Sequence, residues 1–191
     1  MAQVFDGITV LDFTRGMPGG VATMVMSDFG AEVIKVESPF EKKFRESSGA
    51  VQWDRGKKSI ILDLKTPEDR EKAQKLARLS DVVIESFRPG VTRRLGIDYA
   101  NLGADHPELV YASLTGFGPE GPYANYKGYD AVVAAKTGRM MMFAGQNPRE
   151  GPNYVVVQGA YHSAATALIR GITTALYLRE KTGRGQMVET S

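Results

Sequence analysis

Basic side chains recur just beyond apolar, β-branched runs of this sequence. Lys65 follows Ser59 to Leu64, Arg88 follows Asp81 to Ser86, and Arg94 stands one helical turn further on. In open α/β sheets ligands bind outside the carboxyl ends of the strands, where guanidinium and ammonium groups suit phosphate oxygens. For any one of these cations a solvated surface charge is an equal reading, and Phe87 beside Arg88 serves either as a stacking surface or as core. Missing residue types narrow the chemistry further. The chain has no cysteine, which excludes disulfides, thiolate catalysis and thiolate metal sites. Two histidines, His106 and His162, leave little for a metal cluster. From Gly151 to Arg179 there is no Asp or Glu, so that stretch offers Tyr161 and His162 but no carboxylate.

The elements that must position these groups alternate in type. Ile8 to Phe13 is short and apolar, as in a strand buried on both faces. Gly16, Gly19 and Gly20 follow, then an apolar helix from about Val21 to Phe29, a second strand over Ala31 to Glu37, and a long polar loop from Ser38 to Gly56. Ser59 to Leu64 is a third strand. Thr66 begins a helix to about Leu79: its hydroxyl caps free N–H groups, Pro67 suits the first position, and Glu68 and Asp69 face the positive end of the dipole. Asp81 to Ser86 and Leu109 to Leu114 are further strands, with a short helix over Val91 to Leu95 and another capped by Asp98 between them. Gln158 to Lys181 is a long helix, with Ala164, Leu168, Ile172, Ala175, Leu176 and Leu178 apolar and Thr182-Gly183-Arg184-Gly185 as its stop. Strands alternating with helices predict right-handed crossovers and a doubly wound parallel sheet.

A strand, a glycine turn, a helix and then Glu37 superficially match a dinucleotide site. That fingerprint needs G-x-G-x-x-G, whereas this run is Gly16-Met17-Pro18-Gly19-Gly20, with proline inside the turn; a tight strand-to-helix turn is the better reading. Lys plus Arg is 24 against 22 for Asp plus Glu, which lacks the basic excess of a nucleic-acid binder. The amino end lacks the pattern of a signal peptide, and Ala164 to Leu178 is too short and too polar to span a bilayer, so a cytoplasmic protein is expected. Met187-Val188-Glu189-Thr190-Ser191 begins a strand-like alternation and stops without a cap or polar tail, which reads as a truncated chain.

Several segments, in order, resemble the class III CoA-transferases, the group containing formyl-CoA transferase, carnitine CoA-transferase and α-methylacyl-CoA racemase. They are Phe5 to Asp12 (FDGITVLD), Gly30 to Glu37 (GAEVIKVE), Arg55 to Ser59 (RGKKS) with Leu62 to Lys65 (LDLK), Glu85 to Gly90 (ESFRPG) with Arg94-Leu95-Gly96, Gly116 to Pro122 (GFGPEGP), Gly128-Tyr129-Asp130, and Lys181 to Gln186 (KTGRGQ). The resemblance covers nearly the whole chain, and members of the family are substantially longer. It implies that residues 1–191 form the amino-terminal, CoA-binding part of a Rossmann-like α/β large domain. It also implies a CoA thioester and a carboxylic acid as substrates, with no tightly bound cofactor and no metal. Dimers are implied too, interlocked in the family, of like chains or of two related subunits.

By the same resemblance, the CoA contacts fall on Met17 and Pro18, on Leu62, Asp63, Leu64 and Lys65, on Ser86, Phe87 and Arg88, on Arg94, and on Lys127, Gly128, Tyr129 and Asp130. Ser38 stands where formyl-CoA transferase has an adenine-side arginine. The family's nucleophile is an aspartate placed before the long helix, which attacks the thioester to give a mixed anhydride. Counting back from Thr182 without gaps puts that position at Tyr161, and a phenol, with an ordinary pKa of about 10, does not replace a carboxylate. His162 is the next residue, but a helical neighbour points about 100° away, so capping or packing is the better reading for it. The racemase branch requires a histidine at Tyr129 and an aspartate at Tyr161, and neither is present. The expectation is a CoA-binding subunit without the nucleophile. An active transferase of altered chemistry, a purely structural CoA-binding protein and a racemase or isomerase relative are the alternatives.

Overall fold

A computed structural model describes residues 3–41 and 46–191. Six strands form one all-parallel sheet in the order β3-β2-β1-β4-β5-β6. They are β1 (Thr9–Asp12), β2 (Glu32–Glu37), β3 (Lys58–Ile61), β4 (Val82–Glu85), β5 (Val110–Leu114) and β6 (Met187–Thr190). The pairings place Leu11 beside Ile34 and Val83, and Ala112 beside Val188. The expected doubly wound parallel sheet is what the chain forms.

Each central strand sends alternate residues to opposite faces. Val10, Val82, Ile84, Val110 and Ala112 pack on one side with Ala22 and Met26 of α1 (Met17–Asp28) and with Leu168 and Ile172 of the long helix Gly159–Thr182. Leu11, Val83 and Tyr111 face the other side, against Ala73 and Ala77 of a helix over Pro67–Arg78 and Leu102 of one over Tyr99–Asp105. Two apolar layers therefore clamp the sheet, which is why its strands read as continuous apolar runs.

Among the described residues the helices, in chain order, are α1, α2 (Ser48–Trp53), α3 (Pro67–Arg78), α4 (Val91–Leu95), α5 (Tyr99–Asp105), α6 (Asp130–Lys136) and α7 (Gly159–Thr182), with a 3₁₀ turn over Arg139–Phe143 between the last two. Thr66 and Asp98 cap α3 and α5 as expected, accepting from Asp69 N and Asn101 N. Two expectations shift. Helix α1 begins at Met17, with Gly16 as its N-cap, because Pro18 belongs to the first turn, where its missing N–H costs nothing. The expected loop Ser38 to Gly56 holds α2; residues 42–45 of that loop lie outside the described residues. Leu178, one of the apolar positions of α7, is 42% exposed. No helix among the described residues is long and apolar enough to cross a membrane.

Candidate functional site

The strand order reverses between β1 and β4: the chain leaves β1 toward β2 and β3 on one side, then returns to place β4 on the other. At such a switch point the crossovers diverge and leave a crevice at the carboxyl ends of the strands. Here the crevice opens into a cavity of about 950 Å³. Its floor is the turn after β1 (Arg15, Gly16, Pro18) and the turn after β4 (Ser86, Phe87, Arg88); its walls are Leu114 to Gly116 after β5, Lys127 to Tyr129, and one face of α7 with Tyr161, Ser163 and Arg170.

Local contacts set these walls. Glu85, buried at the end of β4, accepts from Phe87 N at 2.7 Å and so bends the chain that presents Ser86 to Arg88. Burial pushes the Glu85 carboxyl above its ordinary value. Gly116 and Gly128 lie back to back: a Cβ on Gly116 would come within 2.4 Å of Gly128 Cα, so only paired glycines let the two wall segments touch. Beneath the β1 turn, fully buried Asp12 accepts from Thr14 N (2.8 Å), Thr14 Oγ1 (2.6 Å), Thr23 Oγ1 (2.7 Å), Lys35 Nζ (3.0 Å) and Lys57 Nζ (3.4 Å). Burial acts to raise the Asp12 pKa, but Lys35 and Lys57, then Thr14 and Thr23, outweigh it and hold the carboxyl at about 2.

The cavity is basic. Among the described residues Arg15, Arg88, Lys127 and Arg170 line it, and no Asp or Glu side chain does. Arg15 pairs with Glu41 at 2.7 Å and lies over the Phe87 ring at 5.7 Å, and Lys127 lies over Tyr129 at the same 5.7 Å. Among the described residues Arg88 and Arg170 form no ion pair. Such a chamber suits a ligand with several negative charges and an uncharged arm.

The structure brings Pro18, Ser86, Phe87, Arg88, Lys127, Gly128 and Tyr129 onto this cavity, together with Tyr161. Others stand apart. Met17 starts α1 beside the turn; Leu62 is buried in the core and Leu64 packs against it; Asp63 Oδ1 accepts from Lys65 N, Lys65 Nζ lies 5.3 Å over the Phe40 ring, and Arg94 is exposed on α4. Asp130 does not line the cavity. It is 2% exposed, its Oδ1 accepts from Tyr161 N and its Oδ2 from Tyr154 OH, each at 3.1 Å. Its carboxylate thus closes the amino end of α7, where a negative charge is favoured. Burial, with the Asp130 carboxylate nearby, pushes the Tyr161 phenol above its usual value, so its hydroxyl keeps its proton at neutral pH. His162 is exposed in the first turn of α7 and His106 follows α5. Among the described residues, no three His, Asp or Glu side chains cluster to hold a metal.

Sequence reasoning missed Asp12, Lys35, Lys57, Glu85, Arg15 and Arg170. The first four are buried supports, and only a charge inside an apolar run, such as Asp12 after Val10-Leu11, hinted at them.

The family model for CoA-transferase family III matches residues 5–191. The acetyl-CoA:oxalate CoA-transferase of Acetobacter aceti is 38% identical over 98% of this chain and 50% of its own length. The succinate–glutarate CoA-transferase of Agrobacterium fabrum is 35% identical over 96% of this chain and 50% of its own length. The crystal structure of a CAIB/BAIF family protein from Brucella suis superposes with a TM-score of 0.89 at 34% identity, covering 100% of this chain and 53% of that one. The chain spans about half the length of these relatives.

Proposed function

Because this chain belongs to CoA-transferase family III, we propose that its basic cavity binds coenzyme A or an acyl-CoA, and that the chain works in CoA transfer as the subunit without a nucleophile. The observation that carries this is the composition of the cavity wall: among the described residues it has four cations, no Asp or Glu side chain, and a phenol on the helix face where the family resemblance expects an aspartate. Arg15, Arg88 and Lys127 at the carboxyl ends of the strands meet the phosphates, while the Leu114 and Gly116 wall takes the neutral pantetheine arm.

Transfer through an acyl-enzyme requires a carboxylate oxygen to attack the thioester carbon. The C–S bond breaks, CoA leaves as thiolate, and the mixed anhydride that remains is reactive enough for the next carboxylate or thiolate. Tyr161 would give an aryl ester from a phenol whose proton is held tightly. Asp130 is already engaged by Tyr161 N and Tyr154 OH. On this reading the carboxylate is supplied by a related subunit in a dimer, with residues 1–191 as the amino-terminal CoA-binding part.

The test measures CoA transfer from succinyl-CoA by the protein alone and mixed with a related aspartate-bearing subunit. Activity only in the mixture is expected. Turnover by the protein alone, with an acyl-enzyme trapped by hydroxylamine, would refute the reading. Tyr161→Asp is expected to give a trappable acyl-enzyme in the otherwise unchanged cavity.

A further inference from the structure

Lys35 and Lys57 are two buried cations for which CoA binding has no direct use: Lys35 is 7% exposed, and the Lys57 side chain 1%. Neither lines the cavity. Both reach backbone carbonyls of the segment that does. Lys35 Nζ, held by Asp12, donates to Thr14 O, and Lys57 Nζ, held by Asp12 and by Asp54 Oδ1 at 2.9 Å, donates to Gly20 O at 3.1 Å. These carbonyls bracket the Arg15 to Gly19 turn. With the Thr14 carbonyl drawn inward, the N–H of the same peptide, that of Arg15, points the other way and donates to Ser86 Oγ at 2.8 Å. One peptide plane thus joins the buried charges to the turn after β4 and ties the two floor segments of the cavity together. Its orientation also sets where Arg15 leaves the chain to lie over Phe87.

We infer that Asp12, Lys35 and Lys57 form a positioning device for the ligand cavity, in which the lysines fix the Thr14–Arg15 peptide and hence the spacing of the Arg15 and Ser86 turns. The charges balance: Asp12 and Asp54 against Lys35 and Lys57, with Asp12 further met by both Thr hydroxyls. The inference rests on the cavity being the CoA site, and its test separates the two.

Lys35→Met removes the donor to Thr14 O but leaves Asp12 paired with Lys57, so the fold is retained. Leu102→Ala, in the opposite layer and away from the cavity, is the control for lost stability. CoA binding by calorimetry at a temperature well below every melting point is expected to be about tenfold weaker for Lys35→Met and unchanged for Leu102→Ala. Amide exchange at Arg15 is expected to quicken at least about tenfold in Lys35→Met alone, since its N–H loses a fixed partner. Unaltered exchange at Arg15, or unaltered CoA affinity in a protein that binds CoA, would overturn the inference. Failure of the unsubstituted protein to bind CoA would instead overturn the assignment of the cavity, and Arg15 exchange alone would then decide the positioning role.

Discussion

Replacing Asp130 by alanine separates a carboxylate that closes a helix from one that does chemistry. Asp130 is 2% exposed and accepts two hydrogen bonds, from Tyr161 N and Tyr154 OH, each at 3.1 Å. Hydrogen bonds to a charged group contribute about 1.5–3 kcal/mol each, and an amide left unpaired near a helix start adds its own desolvation cost. Because water partly replaces the lost partners at half-exposed Tyr154, the expected cost is about 3 kcal/mol, at the lower end of two such bonds. For a chain of this size that corresponds to a melting point lower by about 6–12 °C. Asp130→Asn keeps an acceptor for Tyr161 N and an amide that Tyr154 OH can accept from, so its cost should be only about 1 kcal/mol. The assay is urea unfolding followed by far-UV circular dichroism, with midpoints compared at constant slope. If Asp130→Ala unfolds like the unsubstituted protein, the carboxylate is not the closure of α7. If an acyl group is trapped on Asp130 during incubation with acyl-CoA, the assignment of this acid as spent is wrong.

Three further outcomes follow from the same contacts. Asp12 is held at about 2 against an ordinary 3.8, so its contribution is present above pH 4 and lost as the pH falls toward 2; the stability difference from Asp12→Asn should shrink by about 2 kcal/mol across that window in acid titrations of unfolding. Gly19→Ala places a Cβ 2.2 Å from Thr14 Cβ inside the β1 turn, which should cost about 1–3 kcal/mol by urea midpoint, and a cost near zero would show that the turn has room to move. Arg88→Ala should weaken CoA binding about tenfold while leaving pantetheine, which carries no phosphate, unaffected; equal losses for both would place Arg88 away from the phosphates.

The strands and caps were readable because their causes are local. Thr66 with Pro67 and the following acids announces α3 within four residues, and Gly183, in the left-handed region at φ 67°, ends α7 where the Thr-Gly-Arg-Gly run predicts. Helix α2 was not readable, because six residues have little helical preference of their own and its Trp53 packs against Gly20, a partner far along the chain. The site was legible to the same degree. Ser86, Phe87 and Arg88 follow a recognisable strand, but the bonds from Lys35 and Lys57 to Asp12 span 23 and 45 residues, and that from Tyr161 to Asp130 spans 31. No pattern of period two or 3.6 encodes such pairings; only the folded sheet brings them together.

The connection from β5 to β6 is unlike the other crossovers, since residues 115–186 separate Leu114 from Met187. Everything above the cavity floor on one side, from Gly116 to Arg170, belongs to that single excursion, whereas the floor turns belong to β1 and β4. Closing so long a loop is entropically slow, so the chamber should be completed late in folding, after its base has formed. The wall segment and the floor turns are then expected to open as separate units, with faster native-state amide exchange in the former.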